Sequence, residues 1–399
     1  MKDCKNIPTF EQLGLPPSLL RGVHDLKFTE PTPIQVLAIP PGLEGRDVLA
    51  SAETGSGKSA AFGLPLLTAL LNQPRGKTRA LILAPTRELT DQIAKHLTAL
   101  AKHTKIRIAA VYGGVGFAPQ VDAFKRGADI IVATPGRLQD HMTRGTAHLD
   151  DVTMLVLDEA DRMLDMGFLP AVQRILRRLP AQRQTFFFSA TLPAAISALV
   201  REMLRDPVRV ELARAPAPVE TLRQTLYAVP QEKKTELLVE LLKGNSIYSA
   251  ITFTRTKARA NRLAAALQKN RITTDLLHGD RSQSQRTQAL ENFKRGKYRV
   301  LVATDLAARG IDIAELGHVI NFDVPGLAEE YLHRVGRTAR AKAAGDAITF
   351  VSSEEEPLIR SIEYLLGKRL QRSTNPLFPE ASTESPKPRV VYSSRRKRR

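Results

Sequence analysis

The chain has 399 residues, 43% of them hydrophobic, and a formal net charge of +18. That length favours two domains of ordinary size over one, and the hydrophobic content excludes a disordered or collagen-like chain. The excess of basic side chains favours a polyanionic partner, nucleic acid first and an anionic membrane surface second, over a basic surface with no specific partner.

The first half of the chain contains short apolar runs that end in polar or Gly-rich turns. They predict buried strands, because each run is short and rich in Val, Ile, Leu or Phe. The stretches between them have helical spacing, for example at Leu89, Ile93, Leu97 and Leu100. Strands that alternate with helices imply a parallel sheet with crossover connections. The runs are residues 47–50, 80–84, 106–112, 129–133, 154–157 and 185–188.

A second unit of the same kind follows a pause in this pattern. Two prolines within residues 213–219 predict a linker, after which the apolar runs resume. After Gly367 the periodicity fades into a Pro-containing segment that ends in RRKRR, which predicts a disordered tail. Residues 368–399 hold 10 basic and 2 acidic side chains, or +8. The runs of the second unit are residues 249–253, 273–277, 299–303, 318–322 and 347–351.

The single cysteine, Cys4, bears on the redox compartment. One cysteine cannot form an intramolecular disulfide, and no Cys/His cluster has the spacing of zinc ligands, so we expect a reducing cytosol. The start of the chain lacks the apolar segment of a signal peptide, and no apolar run approaches the roughly 18 residues of a membrane span. We therefore expect a soluble, cytoplasmic chain with no membrane partner.

Residues 47–59, DVLASAETGSGKS, predict a strand, a Gly-rich loop and the start of a helix. Gly55 and Gly57 allow the backbone to wrap a phosphate group, while amides at the helix start point toward the anion. Lys58 and Ser59 can reach phosphate and Mg²⁺ respectively. The strict phosphate-loop pattern has Gly where this chain has Ala52, so a chance Gly-rich turn is the alternative for this segment alone.

A pair of carboxylates follows the apolar run at residues 154–157. Asp158 and Glu159 thus fall at the carboxyl end of a strand, where the ligands of α/β proteins gather. Asp158 would hold Mg²⁺, and Glu159 would orient and deprotonate an attacking water. An acidic cluster after a strand is often only a helix N-cap, but the upstream loop at plausible domain spacing favours a nucleotide site over that alternative.

The segment Asp158-Glu159-Ala160-Asp161 is the sequence after which the DEAD-box RNA helicases are named, and the chain resembles that family over residues 10 to about 367. The resemblance implies an α/β fold with two tandem RecA-like domains, whose parallel sheets are flanked by helices. Within the family the chain is most similar to the compact bacterial RhlE type. The implied division is a Q-motif region at 1–36, an ATP-binding domain at 37–212, a linker at 213–221, a C-terminal helicase domain at 222–367 and a basic tail at 368–399.

The family's motifs occur in order along the sequence. Phe10 and residues 28–35 resemble the adenine-reading Q motif, and residues 52–59 resemble a phosphate loop that commonly begins with Ala. Ser189-Ala190-Thr191 is similar to the element that couples hydrolysis to unwinding. Resemblance to the RNA-contacting motifs of the first domain is found at 85–89 with Gln92, at Gly113-Gly114 and at 134–137. The remaining motifs of the family are completed in the second half by 251–256, 278–286, 303–313 and 333–340.

Five positions depart from the family's common pattern. Ser59 keeps a metal-binding hydroxyl where Thr is usual, so the chemistry is retained. Ala339 adds a β-carbon near the arginine pair, and Glu53 adds a charge beside phosphate, so both bear on affinity and turnover. Lys27 and Thr90 stand where Gly and Ala are usual.

The resemblance implies roles in an ATP site. Phe28 would stack on adenine, with core packing as the alternative, and Gln35 would read the polar edge of the base. Arg337 and Arg340 would come from the second domain to the γ-phosphate and neutralise charge during transfer, and Arg334, Arg337 and Arg340 are expected along one side of a helix. The ATP-binding set is Phe28, Pro33, Gln35, Ala52, Glu53, Thr54, Gly55, Ser56, Gly57, Lys58, Ser59, Gly310 and Asp312, the last two on the ribose side. The catalytic set is Glu159, Asp158, Lys58, Arg337 and Arg340, and the Mg²⁺ ligands are Ser59 and Asp158, partly through water.

An RNA surface and a coupling element are also implied by the resemblance. Backbone amides, hydroxyls and guanidinium groups would hold phosphates and sugars without reading sequence, and contacts to the 2′-hydroxyl would favour RNA over DNA. The RNA set is Pro85, Thr86, Arg87, Gly114, Thr134 and Arg137, with Arg255, Gly279, Gln283, Thr304 and Asp305 in the second domain. The coupling set is Asp161, Ser189, Thr191 and His333.

We therefore predict an RNA-stimulated ATP hydrolase in which ATP and RNA close two domains and locally unwind short RNA duplexes. The alternatives are an ATP-gated RNA clamp in which unwinding is incidental, and a DNA-translocating motor. ATP, Mg²⁺ and RNA are the expected ligands of a monomer, with partners in ribonucleoprotein, ribosome-assembly or RNA-decay machinery. The basic tail would tether RNA non-specifically.

Overall fold

The computed structural model describes residues 8–52, 55–191, 193–211, 222–244, 247–308, 316–338 and 345–373. The chain divides into two compact units, one on either side of residues 212–221. The predicted linker therefore lies outside the described residues. Within the described ranges, every helix is too short or too polar to cross a membrane.

The first unit is built on one parallel sheet. Its strands are β1 (Val48–Ser51), β2 (Ala80–Leu83), β3 (Ile108–Val111), β4 (Ile130–Ala133), β5 (Met154–Leu157), β6 (Gln184–Ser189) and β7 (Val208–Glu211). Its helices are α1 (Pro17–Asp25), α2 (Pro33–Leu43), α3 (Lys58–Leu70), α4 (Arg87–Leu100), α5 (Phe117–Lys125), α6 (Pro135–Thr143), α7 (Ala160–Asp165), α8 (Leu169–Leu176) and α9 (Ala194–Met203). The strand order is β3-β4-β2-β5-β6-β1-β7, so the carboxyl ends of all seven strands lie at one edge.

Both faces of this sheet are covered by apolar helices, which explains the continuous apolar runs in the sequence. In β6, Phe186 and Phe188 pack into one core with Phe62 of α3, while Phe187 packs into the opposite core with Ile175 of α8. Successive residues of β6 thus point to two buried faces. Because both faces of the sheet are covered, functional side chains are expected in the loops at the strand ends.

The second unit repeats this arrangement. Its strands are β8 (Leu222–Ala228), β9 (Ala250–Thr254), β10 (Thr274–Leu277), β11 (Val300–Thr304), β12 (His318–Asn321), β13 (Gly345–Val351) and β14 (Gln371–Ser373). Its helices are α10 (Lys234–Lys243), α11 (Lys257–Lys269), α12 (Gln283–Lys294), α13 (Asp305–Ala308), α14 (Ala328–Val335) and α15 (Glu356–Leu366). The order is β10-β11-β9-β12-β13-β8-β14, and all pairs are parallel.

All the strands expected from the sequence are present, with ends shifted by no more than two residues. Three strands escaped prediction: β7, β8 and β14. The expected tail boundary after Gly367 is corrected, because Gln371–Ser373 pair with Thr225–Tyr227 of β8 at the edge of the sheet. This polar three-residue strand carries no apolar run that a sequence pattern could register. Residues 374–399 lie outside the described part of the chain.

Candidate functional site

The Gly-rich loop between β1 and α3 brings a lysine next to a carboxylate. Gly55 and Gly57 have φ angles of +88° and +94°, a region that other residues rarely adopt, so the loop's course depends on glycine. Lys58 is buried at the start of α3. Its Nζ donates to the Ala52 carbonyl over 3.2 Å and lies 3.4 Å from Asp158 Oδ1. The loop thus aligns its cation with the acidic pair that follows β5.

The phosphate loop also touches the segment that opens α2. Gln35 is buried; its Oε1 accepts from the Thr32 amide (3.0 Å) and its Nε2 donates to the Gly57 carbonyl (3.1 Å). A β-carbon on Gly57 would lie 2.6 Å from Gln35 Nε2, so only glycine permits this approach. Pro33 occupies the first turn of α2, where its missing N–H needs no partner. Gln35, the predicted adenine contact, is therefore tied to the phosphate loop.

Phe28, predicted to stack on adenine, packs against other rings. Its centroid lies 6.4 Å from that of Phe10 in a stacked arrangement and 5.8 Å from that of His96 in an edge contact. Burial lowers the pKa of His96, so this neighbour is neutral at pH 7. These are the contacts that the core-packing alternative requires. Phe28 is only half-buried, so stacking on a base stays a prediction.

The acidic pair after β5 is almost fully buried. Burial raises the pKa of Asp158, against the opposing pull of the Lys58 ammonium. Glu159 has a φ of +52°, a strained conformation for a residue with a side chain, and its Oε2 accepts from Arg162 Nη1 at 2.7 Å. This residue turns the chain from β5 into α7, which begins at Ala160. Strained backbone next to paired buried charges is typical of a functional site.

The donor set at this edge fits Mg²⁺. Asp158 Oδ1 is buried and accepts no hydrogen bond from the residues that the structure describes. A buried carboxylate oxygen of this kind suits a hard cation that takes one or two protein ligands and completes its shell with phosphates and water. Ser59 adds a hydroxyl directly after Lys58. Glu53 and Thr54 lie outside the described residues, and Ser56 lies between Gly55 and Gly57.

Asp161 ties the turn after β5 to the turn after β6. Its Oδ2 accepts from the Ala190 amide (3.1 Å), the Thr191 amide (2.9 Å) and the Thr191 hydroxyl (3.1 Å). In return, the Ser189 hydroxyl accepts from the Asp161 amide (3.2 Å) and donates to the Thr191 carbonyl (2.6 Å). The two turns meet because β5 and β6 are parallel neighbours. The coupling residues predicted in this unit are thus joined in one network.

Two of the predicted RNA residues approach a single loop, residues 113–117, which we call the arginine loop. Gly114 has a φ of +85°, and a β-carbon there would collide with Arg87 Nη1, so the guanidinium lies over the loop backbone. Arg137 Nη1 donates to the Val115 carbonyl over 3.1 Å. Arg87 comes from α4 and Arg137 from α6, which follow the neighbouring strands β2 and β4. The sheet order brings these basic side chains together.

The remaining RNA residues predicted in this unit lie at helix starts. Pro85 and Thr86 are buried before α4, and Thr86 Oγ1 accepts from the Leu89 amide at 3.2 Å as an N-cap. Thr134 is the N-cap residue of α6 and is also buried. Their structural role is clear, and their RNA contacts stay predictions.

In the second unit, Arg255 is anchored to a buried charge cluster. Its amide donates to Asp323 Oδ2 (2.8 Å), and its Nη2 donates to the Val324 carbonyl and to Glu355 Oε1 (3.1 Å each). Glu355 Oε2 accepts from Lys234 Nζ at 2.5 Å, and Lys234 is completely buried. Burial raises the pKa of Glu355, but the charge and hydrogen bonds of Lys234 outweigh it and keep that pKa low. Sequence reasoning missed Glu355 and Lys234, which lie 121 residues apart and belong to no motif.

The other RNA residues predicted in this unit lie at the carboxyl ends of β10 and β11, which are parallel neighbours. Gly279 is exposed after β10, Gln283 is buried at the start of α12, and Thr304 ends β11. Asp305 forms a two-pronged ion pair with Arg334, with Nε–Oδ1 and Nη2–Oδ2 distances of 2.5 and 2.7 Å. The Asp305 carboxylate is thus already engaged by Arg334, and its RNA contact stays a prediction.

The expectation that Arg334, Arg337 and Arg340 line one side of a helix is wrong. Helix α14 ends at Val335 with Gly336 as its C-cap, so Arg337 lies in the turn beyond it, where it is buried. Glycine is a poor helix former, and the chain leaves the helix at Gly336 with φ −66° and ψ +4°. His333 lies in the last turn of α14. Gly310, Asp312 and Arg340 lie outside the described residues.

One site residue was overlooked although the sequence carried a signal for it. Arg162 holds Glu159 through an ion pair of 2.7 Å, and both side chains are nearly buried. Glu159 directly precedes α7 and Arg162 lies in the first turn of that helix, so an acid and a base at this spacing indicate the pair.

A Gly-rich loop whose lysine faces a buried carboxylate at the end of a parallel strand defines a phosphate-loop nucleoside triphosphatase. Residues 32–199 match the family model described as DEAD/DEAH box helicase, and residues 233–342 match the helicase conserved C-terminal domain. The chain is 40% identical to the DEAD-box ATP-dependent RNA helicase CshA of Bacillus subtilis, over 94% of this chain and 75% of that protein. It is 42% identical to the ATP-dependent RNA helicase CshA of Listeria monocytogenes, over 93% and 71% of the two chains. The chain belongs to the DEAD-box helicase family.

Two solved structures resemble this chain in fold. Dbp5 of S. cerevisiae bound to RNA and ADP BeF3 is 33% identical with a TM-score of 0.81, over 92% of this chain and 95% of that one. Mss116p bound to single-stranded RNA and AMP-PNP is 28% identical with a TM-score of 0.84, over 93% and 81%. The predicted fold of tandem RecA-like units is confirmed. The likeness to the RhlE type stays a prediction.

Proposed function

We propose that the chain is an ATP-dependent RNA helicase, an RNA-stimulated ATP hydrolase that separates short RNA duplexes. The Asp161 network carries this conclusion, because it links the turn bearing Asp158 and Glu159 to Ser189 and Thr191. A phosphate loop alone supports only nucleotide binding. Membership of the DEAD-box family and relatives named as ATP-dependent RNA helicases support the choice of RNA.

In this proposal the first unit handles the triphosphate. Lys58 Nζ, now shared between Ala52 and Asp158, moves onto the terminal phosphates, which replace the Ala52 carbonyl as its acceptor. Arg162 orients the Glu159 carboxylate, which positions the attacking water and accepts its proton. The γ-phosphate roles of Arg337 and Arg340 and the ribose roles of Gly310 and Asp312 rest on the family resemblance.

Asp158 and Ser59 would hold Mg²⁺ in this site. When bound, the ion neutralises the negative charge of the phosphates during transfer. Its absence should also leave Asp158 dependent on Lys58 alone for compensation of a buried charge. ATP binding measured with and without Mg²⁺ checks this assignment in the wild-type chain and in Ser59→Ala.

RNA is held mainly through its backbone in this proposal. Arg87, Arg137 and the backbone of Gly114 bind phosphates in the first unit, and Arg255 binds phosphate in the second. Contacts of this kind give affinity without sequence preference, and the affinity falls as salt rises.

The variant Glu159→Gln tests the proposal. Its amide can still accept from Arg162 but cannot take a proton, so hydrolysis should fall by about 100-fold or more while ATP binding persists. We also expect this variant to accumulate in an ATP- and RNA-bound state. Glu202→Gln, an exposed change on α9, is the matched control and should hydrolyse ATP at the wild-type rate. Unchanged steady-state hydrolysis by Glu159→Gln would refute the assignment of Glu159 as the general base.

Strand separation distinguishes the helicase from the ATP-gated clamp. A labelled RNA duplex should separate repeatedly with ATP and at most once per protein with a non-hydrolysable analogue. Equal multiple-turnover separation with both nucleotides would favour the clamp. Stimulation by DNA as strong as by RNA would favour the translocating motor.

We also propose a cytoplasmic monomer whose basic end tethers RNA. Residues 374–399 hold 7 basic and 2 acidic side chains, or +5. A truncation should begin at residue 374, because an earlier cut removes β14 from its sheet. We expect weaker RNA binding with a flatter salt dependence and unchanged ATP affinity. An unaltered salt slope would refute the tether.

A further inference from the structure

A third arginine joins Arg87 and Arg137 at the arginine loop, and it belongs to none of the family motifs. The Arg144 guanidinium carbon lies 4.0 Å from the centroid of the Phe117 ring, and that of Arg137 lies 4.4 Å from the same centroid. Phe117 closes the arginine loop at the start of α5. Arg87, Arg137 and Arg144 therefore contact successive parts of residues 113–117.

The aromatic ring fixes the direction of these cations. A guanidinium over an aromatic face is attracted by the ring's quadrupole, so Phe117 restrains both Arg137 and Arg144. The His141 ring packs on Phe117 with centroids 4.3 Å apart and is completely buried. Burial, and then the charge of Arg137, lower the pKa of His141, so it adds no positive charge at pH 7. The His141 ring thus packs on Phe117 without adding charge to the cluster.

The two arginines that face Phe117 are only weakly compensated by carboxylates in the part of the chain that the structure describes. Asp140 lies 3.8 Å from Arg137 Nε and is 61% exposed, which makes it a weak partner. Arg144 is exposed and pairs with no carboxylate among the residues that the structure describes. Burial lowers the pKa of Arg137. The charge of Asp140 raises this pKa, whereas the charges of Arg87 and Arg144 lower it further. Like charges held together in this way create a field that favours an anion.

We propose that Arg144, oriented by Phe117, is a further phosphate contact of the RNA surface in the first unit. The ligand is the phosphodiester backbone of single-stranded RNA, since adjacent cations along one loop suit a repeating anion. Arg144 lies seven residues after Arg137, about two helical turns, so both side chains leave α6 on the same side. The inference rests on the proposed RNA contact of Arg137 and extends it.

The test compares two arginines in the same local setting. Arg144 and Arg126 are each the C-cap residue of a helix and are each followed by glycine, but Arg126 lies at the other end of α5 from Phe117. The variants Arg144→Gln and Arg126→Gln change the net charge equally. Binding of labelled single-stranded RNA to the full chain is measured by fluorescence anisotropy over a range of salt, with a non-hydrolysable ATP analogue.

Loss of one phosphate contact has a defined signature. For Arg144→Gln, we expect about fivefold weaker binding at low salt and a slope of log affinity against log salt that is smaller by about 0.7. Arg126→Gln should keep the wild-type slope. Equal slopes for the two variants would overturn the inference. Phe117→Leu keeps both charges and should weaken binding about twofold with the slope unchanged; wild-type affinity in this variant would overturn the orienting role of the ring.

The variant Arg137→Gln separates this inference from the function on which it rests. A reduced slope in Arg137→Gln with a wild-type slope in Arg144→Gln would leave the RNA surface in place and remove Arg144 from it. Wild-type slopes in both would show that RNA does not use the arginine loop. Melting temperatures of all the variants establish that each is folded.

Discussion

The substitution Asp161→Asn probes the network between the two turns at the sheet edge. A carboxylate oxygen accepts three hydrogen bonds there, from the Ala190 amide and from the amide and hydroxyl of Thr191. Hydrogen bonds to a charged group contribute about 1 kcal/mol more than neutral ones. An asparagine that offers its oxygen to the same three donors therefore loses about 3 kcal/mol of local stability. Its amide nitrogen would also face the Arg162 amide, which now donates to the other carboxylate oxygen over 3.0 Å.

Hydrogen exchange measures this loss of local stability at the amides concerned. The amide protons of Ala190 and Thr191 should exchange faster by on the order of 100-fold, because 1.4 kcal/mol corresponds to a tenfold change. We expect ATP hydrolysis to persist and duplex separation to fall, since the catalytic pair Asp158 and Glu159 is untouched. Asp165→Asn, an exposed change in the same helix, is the control. Wild-type exchange at Ala190 and Thr191 in Asp161→Asn would refute the reasoning.

Three further predictions concern the phosphate loop, the buried charge cluster and the pH dependence of stability. Gly57→Ala places a β-carbon 2.6 Å from Gln35 Nε2 at a φ of +94° and should weaken ATP binding about tenfold, measured by calorimetry; Gly45→Ala, at a φ of +78° with open space around it, should not. Glu355→Gln leaves the buried Lys234 ammonium with Asp323 at 3.8 Å and should lower the free energy of urea unfolding by about 3 kcal/mol, whereas the exposed Glu354→Gln should change it little. Burial lowers the pKa of His141 from its usual 6.5, so the unfolded chain takes up a proton first and stability is lost as pH falls from about 6.5 through the folded value. The variant His141→Gln should show a smaller drop in melting temperature between about pH 7.5 and 5, and the exposed His148→Gln should show the wild-type drop.

The sequence predicted the strands that are buried on both faces, because such strands read as continuous apolar runs. Met154–Leu157 and its neighbours are of this kind. The strand β7 has only four residues, which alternate between exposed and buried, and β14 has three polar residues at an edge of the sheet. Neither sequence contains an apolar run long enough to predict a strand. Edge strands are defined by their neighbours, which a local pattern does not contain.

The motifs in the sequence predicted which residues lie near one another, but not the partners that these residues have outside the motifs. Lys58 and Asp158 lie together as a phosphate site requires, and Asp161 is hydrogen-bonded to Ser189 and Thr191. Arg144 is positioned by its contact with Phe117, and Glu355 by its ion pair with Lys234. No spacing in the sequence indicates either contact. The three-residue spacing of Arg334 and Arg337 predicts one continuous helix, but α14 ends before Arg337, at Gly336.

The most direct test measures phosphate release and strand separation together, in the wild-type chain with a short RNA duplex. We expect phosphate release to rise with RNA concentration and strand separation to require ATP in the same reaction. Phosphate release that is indifferent to RNA, or strand separation that proceeds at the same rate without ATP, would contradict the coupling that we place in the Asp161 network.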